Sequence, residues 1–153
     1  MRAIEFLPYQ QPDIITYSTQ LADSFKRWVG RELIHPYSAE ALYHAPFILV
    51  SHGTEADPVF RYANLAAQRL WGMDWSTFIA LPSRMSAEPD AQEERTRLLA
   101  TAEKQGFVDN YRGVRVTASG RRFAIENCIL WNVLNETGDK IGQAATFSAW
   151  EWL

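Results

Sequence analysis

The sequence predicts an α+β fold built on an antiparallel sheet, and three observations carry that expectation. An amphipathic helix opens the chain, a short strand pair follows it, and the last third reads as three long strand-like stretches. At 153 residues, 47% hydrophobic and 22% charged, the composition is that of one ordinary globular domain rather than a disordered chain. Such a chain buries roughly 70% of the surface that its unfolded form exposes.

The elements follow in order. From Asp13, Leu21, Phe25, Trp28 and Val29 recur at helical spacing and line one face, and Gly30 ends the run. Ser38 starts a short helix that stops before Pro46. FILVSHG, Phe47 to Gly53, is a short apolar run with the length of a buried strand. VFRYAN alternates apolar and polar residues, and TEADP between the two makes them a hairpin. Asn64 caps LAAQRLW, Gly72 ends it, and Asp74 caps a second short helix through Phe78 and Ile79. PSRMSAEPD is irregular. Asp90 with Glu93 resembles a capping box, opening a helix that turns Leu98, Leu99 and Ala102 inward and its charges outward. The three strand-like stretches are separated by SGRR and NETGD, each a turn with glycine. In the middle one, strict alternation puts Phe123, Ile125, Asn127, Ile129, Trp131 and Val133 on one face. It puts Ala124, Glu126, Cys128, Leu130, Asn132 and Leu134 on the other. Both faces carry apolar residues, so this strand is expected to be covered on both sides, once by the N-terminal helix.

Charge and cysteine narrow the function classes. Fifteen basic against eighteen acidic residues leave a net −3, with no dense basic stripe, which argues against direct nucleic-acid binding. Twelve of the basic residues are Arg, most of them on faces expected to be solvated. The single cysteine, Cys128, excludes an internal disulfide and a cysteine-built zinc site. Glu5 and Pro8 interrupt the start, so no leader is expected, and no apolar run reaches the ~18 residues that span a membrane. The expectation is a cytoplasmic protein without a membrane partner.

The blocks DPVFRYANLAAQRLW, LPSRMSAEP, EERTRLL, YRGVRVTASGRRFAIENCILWN and GQAATF, in that order, resemble the MEKHLA domain, a PAS-like family, over roughly residues 45 to 150. The resemblance implies a five-stranded antiparallel sheet with a helical connection and an N-terminal covering helix. It divides the chain into a helical extension, 1–45, and a PAS-like domain, 46–153. In plants such a domain closes class III homeodomain-leucine zipper transcription factors; in bacteria and algae it stands alone, and this chain resembles the second kind. The family is regarded as sensory or regulatory, with no ligand generally defined, so no cofactor is assigned and a small molecule of unknown identity is the expected partner. A homodimer is expected, with the N-terminal helix at its interface or over the sheet.

A PAS-like pocket lies between the inner sheet face and the helical connection. Leu70, Trp71, Phe78 and Met85 are placed to line it from the helices, and Tyr111, Arg115, Phe123, Ile125 and Trp131 from the sheet. Asn64, Ser83, Arg84, Asn127 and Gln143 are the further polar candidates. For each the competing reading is a core aromatic or a polar group that satisfies backbone. Arg84 and Arg115 are placed to clamp a carboxylate or phosphate; alternatively Arg84 pairs with Glu88 or Glu126. His35, His44 and His52 show no tight ligand spacing, so no metal is expected. NCILWN only superficially matches the cysteine motif of flavin light sensors, because it falls on a strand; a buried structural Cys128 is expected. Catalysis is the weaker reading. It would use Glu126 as a base of raised pKa, with Arg115 and Tyr111, in a small isomerase or hydrolase; a Glu126 pair with Arg115 or Arg121 competes with it. A third reading is a pure interaction domain with a filled core.

Overall fold

The computed structural model describes residues 7–153, with the side chains of residues 89 and 90 set aside. The Glu5 interruption thus lies outside the described residues. Helix α1 (Pro12–Val29) ends where Gly30 turns left-handed, at φ 85°. Helix α2 (Ala39–Tyr43) is capped by the Ser38 side chain. Strands β1 (Ile48–His52) and β2 (Phe60–Ala63) form the expected hairpin. Helix α3 (Leu65–Trp71) is capped by Asn64, and helix α4 (Trp75–Phe78) by Asp74. Residues Ser83–Ser86 make a 3-10 turn. Helix α5 (Pro89–Gln105) begins two residues earlier than expected, with Glu88 rather than Asp90 at the cap position and Pro89 as its first residue, where a missing N–H costs nothing. Strands β3 (Phe107–Val116), β4 (Arg122–Leu134), β5 (Lys140–Phe147) and β6 (Ala149–Trp152) complete the chain.

The sheet is antiparallel in the order β2-β1-β5-β4-β3. The third expected stretch breaks at Ser148, and β6 pairs with β4 at residues 123–126, where β5 has already ended. It prolongs the β5 lane rather than adding a new one, so five lanes hold six strands.

Two layers of apolar side chains sandwich this sheet. On one face α1 delivers Tyr17, Leu21 and Phe25 onto Leu49, Trp131 and Val133. Polar bonds fix its height. The Trp28 indole donates to the Asn132 carbonyl at 2.9 Å, and the Leu134 N–H donates to Ser24 Oγ at 2.8 Å. The buried Tyr17 hydroxyl lies 2.6 Å from Ser51 Oγ, which itself donates to the Gln143 carbonyl. Gly142 permits this approach, because a Cβ there would strike the His52 carbonyl oxygen and the Tyr17 hydroxyl. On the other face α3, α4 and α5 cover Val50, Phe60, Phe123, Ile125 and Cys128.

Strict alternation fails inside β4. Asn127 sits in the left-handed region at φ 51°, and Asn110 in β3 at φ 54°. Between the Gly113–Ile125 and Tyr111–Cys128 pairs, β4 spends one residue more than β3; between Tyr111–Cys128 and Val108–Leu130, β3 spends one more than β4. These are compensating bulges, each carried by an asparagine that tolerates positive φ. They reverse which face each later side chain takes. Phe123, Ile125 and Cys128 therefore share the α5 face, whereas Ile129, Trp131 and Val133 turn to α1. The expected single face running from Phe123 through Trp131 is corrected accordingly.

If the bulge is required, Asn127→Val costs about 2 kcal/mol, because a β-branched residue resists that conformation. Asn127→Gly stays within about 0.5 kcal/mol of the parent. Urea unfolding of the two variants measures the difference.

Candidate functional site

The α5 face of the sheet holds a partly open cavity of about 50 Å³, counted as space open to the centre of a water molecule. That is room for on the order of four waters. Its floor comes from β1, β3, β4 and β5, through Val50, Tyr111, Ile125 and Gln143 among others; its roof comes from α5, through Arg95, Leu98 and Leu99, and from Trp71 at the end of α3. The walls are largely apolar, as small-molecule sites are.

The structure separates the sequence candidates by place. Trp71, Tyr111, Arg115, Ile125 and Gln143 line the cavity. Phe123 stands behind them, edge-on to Trp71 at 5.2 Å. Asn64 is fully buried, and its amide is spent on the Leu49 and Ala67 N–H groups and the Phe47 carbonyl. Ser83 accepts from Arg95 Nη2 at 2.8 Å and holds that side chain from outside the cavity. Three placements are corrected. Arg84 points to solvent and pairs with Asp57 at 3.1 Å, not with Glu88 or Glu126. Met85 is 48% exposed. Trp131 lies on the far face, donating its indole N–H to the Leu21 carbonyl and stacking edge-on with Phe25, because the Asn127 bulge has turned it away. Asn127 itself is exposed. Glu126 is half-exposed beside Arg112 and is not among the cavity residues, so it has neither the apolar surroundings nor the place expected of a base.

Arg95 and His52 were not candidates, yet both line the cavity. The sequence pattern puts Arg95 among the outward charges of its helix, whereas the structure turns it inward. The signal was present: Ala91, Arg95, Leu98 and Ala102 lie at i, i+4, i+7 and i+11 on one helical stripe.

Several polar residues on this wall are more than nine-tenths buried: Trp71 at 2% exposure, His52 at 7%, Arg95 at 8% and Arg115 at 9%, together with Ser51, Ser86 and Gln143. Among the described residues the Trp71 indole nitrogen and His52 Nε2 have no hydrogen-bond partner. His52 Nδ1 lies 2.9 Å from the Gly53 carbonyl, which only accepts, so Nδ1 carries the proton and Nε2 offers a free lone pair. Burial, with help from the nearby Arg95 and Lys140 charges, pulls the His52 pKa down to about 4, so the ring is neutral at pH 7. Burial likewise lowers Arg95, to about 10, with the neighbouring Arg115 charge adding to it; Arg95 still stays charged. Burial pushes the Cys128 thiol up to about 12, which makes it inert as a nucleophile. Gln143 ties the roof to the floor, donating to the Leu99 carbonyl at 2.9 Å and to Asn132 Oδ1 at 3.2 Å. Among the described residues no group of three His, Cys, Asp or Glu is placed to hold a metal ion, and no helix is long and apolar enough to cross a membrane.

The fold and the chain have known counterparts. The family model described as "MEKHLA domain" matches residues 15–152, and so takes in most of α1. The homeobox-leucine zipper protein ATHB-8 of Arabidopsis thaliana is 23% identical over 156 residues. That alignment covers 95% of this chain but only 18% of the plant protein's length. Among solved structures, the PAS domain of a protein from Colwellia psychrerythraea superposes with a TM-score of 0.63 at 18% identity, over 71% of this chain and 89% of that one. A light-oxygen-voltage domain studied with a flavin analogue gives 0.59 at 14% identity, over 75% and 83%. An RNA-binding light-oxygen-voltage receptor gives 0.57 at 20% identity, over 70% and 30%. The fold is therefore PAS-like. A three-ring flavin does not suit this cavity: room for a few waters is too small, and Cys128 lies on a strand with its thiol held protonated.

The His52 shift has a measurable consequence. The unfolded ring takes a proton near pH 6.5 and the folded ring only near pH 4, so acid favours the unfolded chain. Stability from this group is complete above about pH 6.5 and is lost as pH falls towards 4, by up to about 3 kcal/mol. Urea unfolding of the parent and His52→Gln at pH 7, 6 and 5 reads it as the pH slope that the variant lacks.

Proposed function

The chain belongs to the MEKHLA domain family, and on that footing we propose that it is a non-catalytic PAS-like sensory module that binds a small molecule in the cavity under α5. One observation carries this reading: a partly open, largely apolar cavity whose wall holds two buried ring nitrogens without partners among the described residues, Trp71 Nε1 and His52 Nε2. A buried polar group left unpaired costs about 1–3 kcal/mol, so a core evolved only for packing would avoid two in one place. A bound molecule supplies the acceptor that the indole N–H lacks, and a donor for His52 Nε2 comes from that molecule or from a water beside it. Ser51 and Gln143 supply a route for the signal, since both line the cavity and Ser51 grips the Tyr17 hydroxyl of α1 through the sheet. Occupancy then biases how α1 sits on the opposite face.

A homodimer is the second half of the proposal. α1 is committed to the sheet, and β6 with the residue after it offers Trp150, Trp152 and Leu153, all exposed. We place self-association on that edge.

Mass spectrometry of the purified protein under native and then denaturing conditions tests the first half. The proposal expects a small molecule released on denaturation, and its loss in Leu98→Trp, which fills the cavity from the roof. A protein that carries none and binds none favours the pure interaction module. Light scattering tests the second half: the expected mass is twice 17.5 kDa, falling to the single value in the Trp150→Ser, Trp152→Ser double variant.

A further inference from the structure

We infer that the molecule held in this cavity is a short-chain carboxylate whose anionic end sits between Arg95 and Arg115. The inference rests on the sensory reading above and names the chemical class of its ligand.

The charge distribution carries it. Both guanidinium groups belong to the cavity wall, and each side chain is at least nine-tenths buried. Among the described residues neither takes part in an ion pair. The nearby acids are used on the surface: Glu88 by Arg122, Glu103 by Lys140 and Glu126 by Arg112. Inside, Arg95 donates to a serine hydroxyl, and Arg115 donates to the carbonyl of its own neighbour, Val114, and lies 5.8 Å from the centre of the Tyr111 ring; among the described residues most of their ten N–H donors lack an acceptor. The Arg115 charge is close enough to disfavour the charge on Arg95. Two uncompensated cations facing one cavity are costly, and a buried charge is ordinarily paired. An anion between the two forks supplies the missing partner with bidentate geometry.

Size and wall chemistry choose the anion. The room suits a ligand of a few non-hydrogen atoms. Beyond the two arginines, Trp71 Nε1–H is the unpartnered donor, and Leu98, Leu99, Ile125 and Phe147 are apolar. Phosphate, with four oxygens and about two charges, would bury oxygen against those carbons. A carboxylate places its two oxygens on the guanidinium groups and its short alkyl tail on the apolar wall.

Thermal unfolding at matched ionic strength tests this, with acetate, propionate and butyrate against their neutral amides and inorganic phosphate. The Trp71 indole N–H signal in a ¹H–¹⁵N spectrum reports the site directly. We expect at least one carboxylate to raise Tm by about 3 °C or more and to move the indole signal, with the amides and phosphate silent. Arg95→Met and Arg115→Met should each abolish the response. If either variant fails to fold, the Lys replacement at that position keeps the charge, loses the fork and should weaken binding about tenfold. Amides acting as strongly as the acids would overturn the carboxylate assignment and leave the cavity reading standing, as would a response to phosphate alone. A carboxylate response retained in the arginine variants would also overturn it. Silence from every probe, with nothing co-purified, would remove both the assignment and the reading beneath it.

Discussion

Asn127 departs from strand geometry at one residue, and the chemistry of the site depends on that departure. A regular β4 would send Cys128, Leu130 and Asn132 to the same face as Ala124 and Glu126, and would put Trp131 on the face of Phe123 and Ile125. The left-handed Asn127, matched by Asn110 in β3, inserts a half-step. After it, Cys128 and Leu130 join Ile125 on the cavity wall while Trp131 and Val133 form the seat of α1. One strand thereby serves two cores, an open one with polar groups on its wall and a filled one.

The two cores differ in how many polar groups they leave unsatisfied: on the α1 side, among the described residues, only the buried Tyr62 hydroxyl lacks a partner. Beneath α1, the Trp28 and Trp131 indoles donate to backbone carbonyls, and Ser24, Ser51 and Tyr17 bond one another or the sheet. Beneath α5, the Trp71 indole, His52 Nε2 and two guanidinium groups are short of partners. Stability alone would favour apolar replacements at the arginines. Their retention in an apolar pocket is understood if the missing partner comes from outside the chain. Ser51 and Gln143 join the two cores: Ser51 Oγ lies 2.6 Å from the Tyr17 hydroxyl and donates to the Gln143 carbonyl, and both residues line the cavity.

Much of this was legible in the sequence. Glycine and proline punctuation, the capping residues Ser38, Asn64 and Asp74, and helical spacing in α1 located the helices close to their bounds, because those signals are local. The family blocks ordered the strands. What escaped was non-local. A bulge is set by pairing between strands, and IENC and VDNY read as ordinary strand text, so alternation puts Trp131 on the wrong face. Arg84 drew attention by sitting in an irregular loop, yet Asp57 across that loop satisfies it. Arg95 lay on the inward stripe of its helix, but a charged residue there is read by default as solvated. His52 gave no sign, because its place depends on the β1–β5 pairing that buries it.

The central claim is that the arginine pair and the Trp71 indole wall one anion site. The most direct measurement is the side-chain ¹H–¹⁵N spectrum of the folded protein titrated with propionate, following the Nε–H signals of Arg95 and Arg115 together with the Trp71 indole. The account predicts that all three move in one saturable process, with the same dissociation constant, while the exposed Arg97 stays still. Unchanged Arg95 and Arg115 signals, or shifts that match Arg97 in size and never saturate, would contradict it.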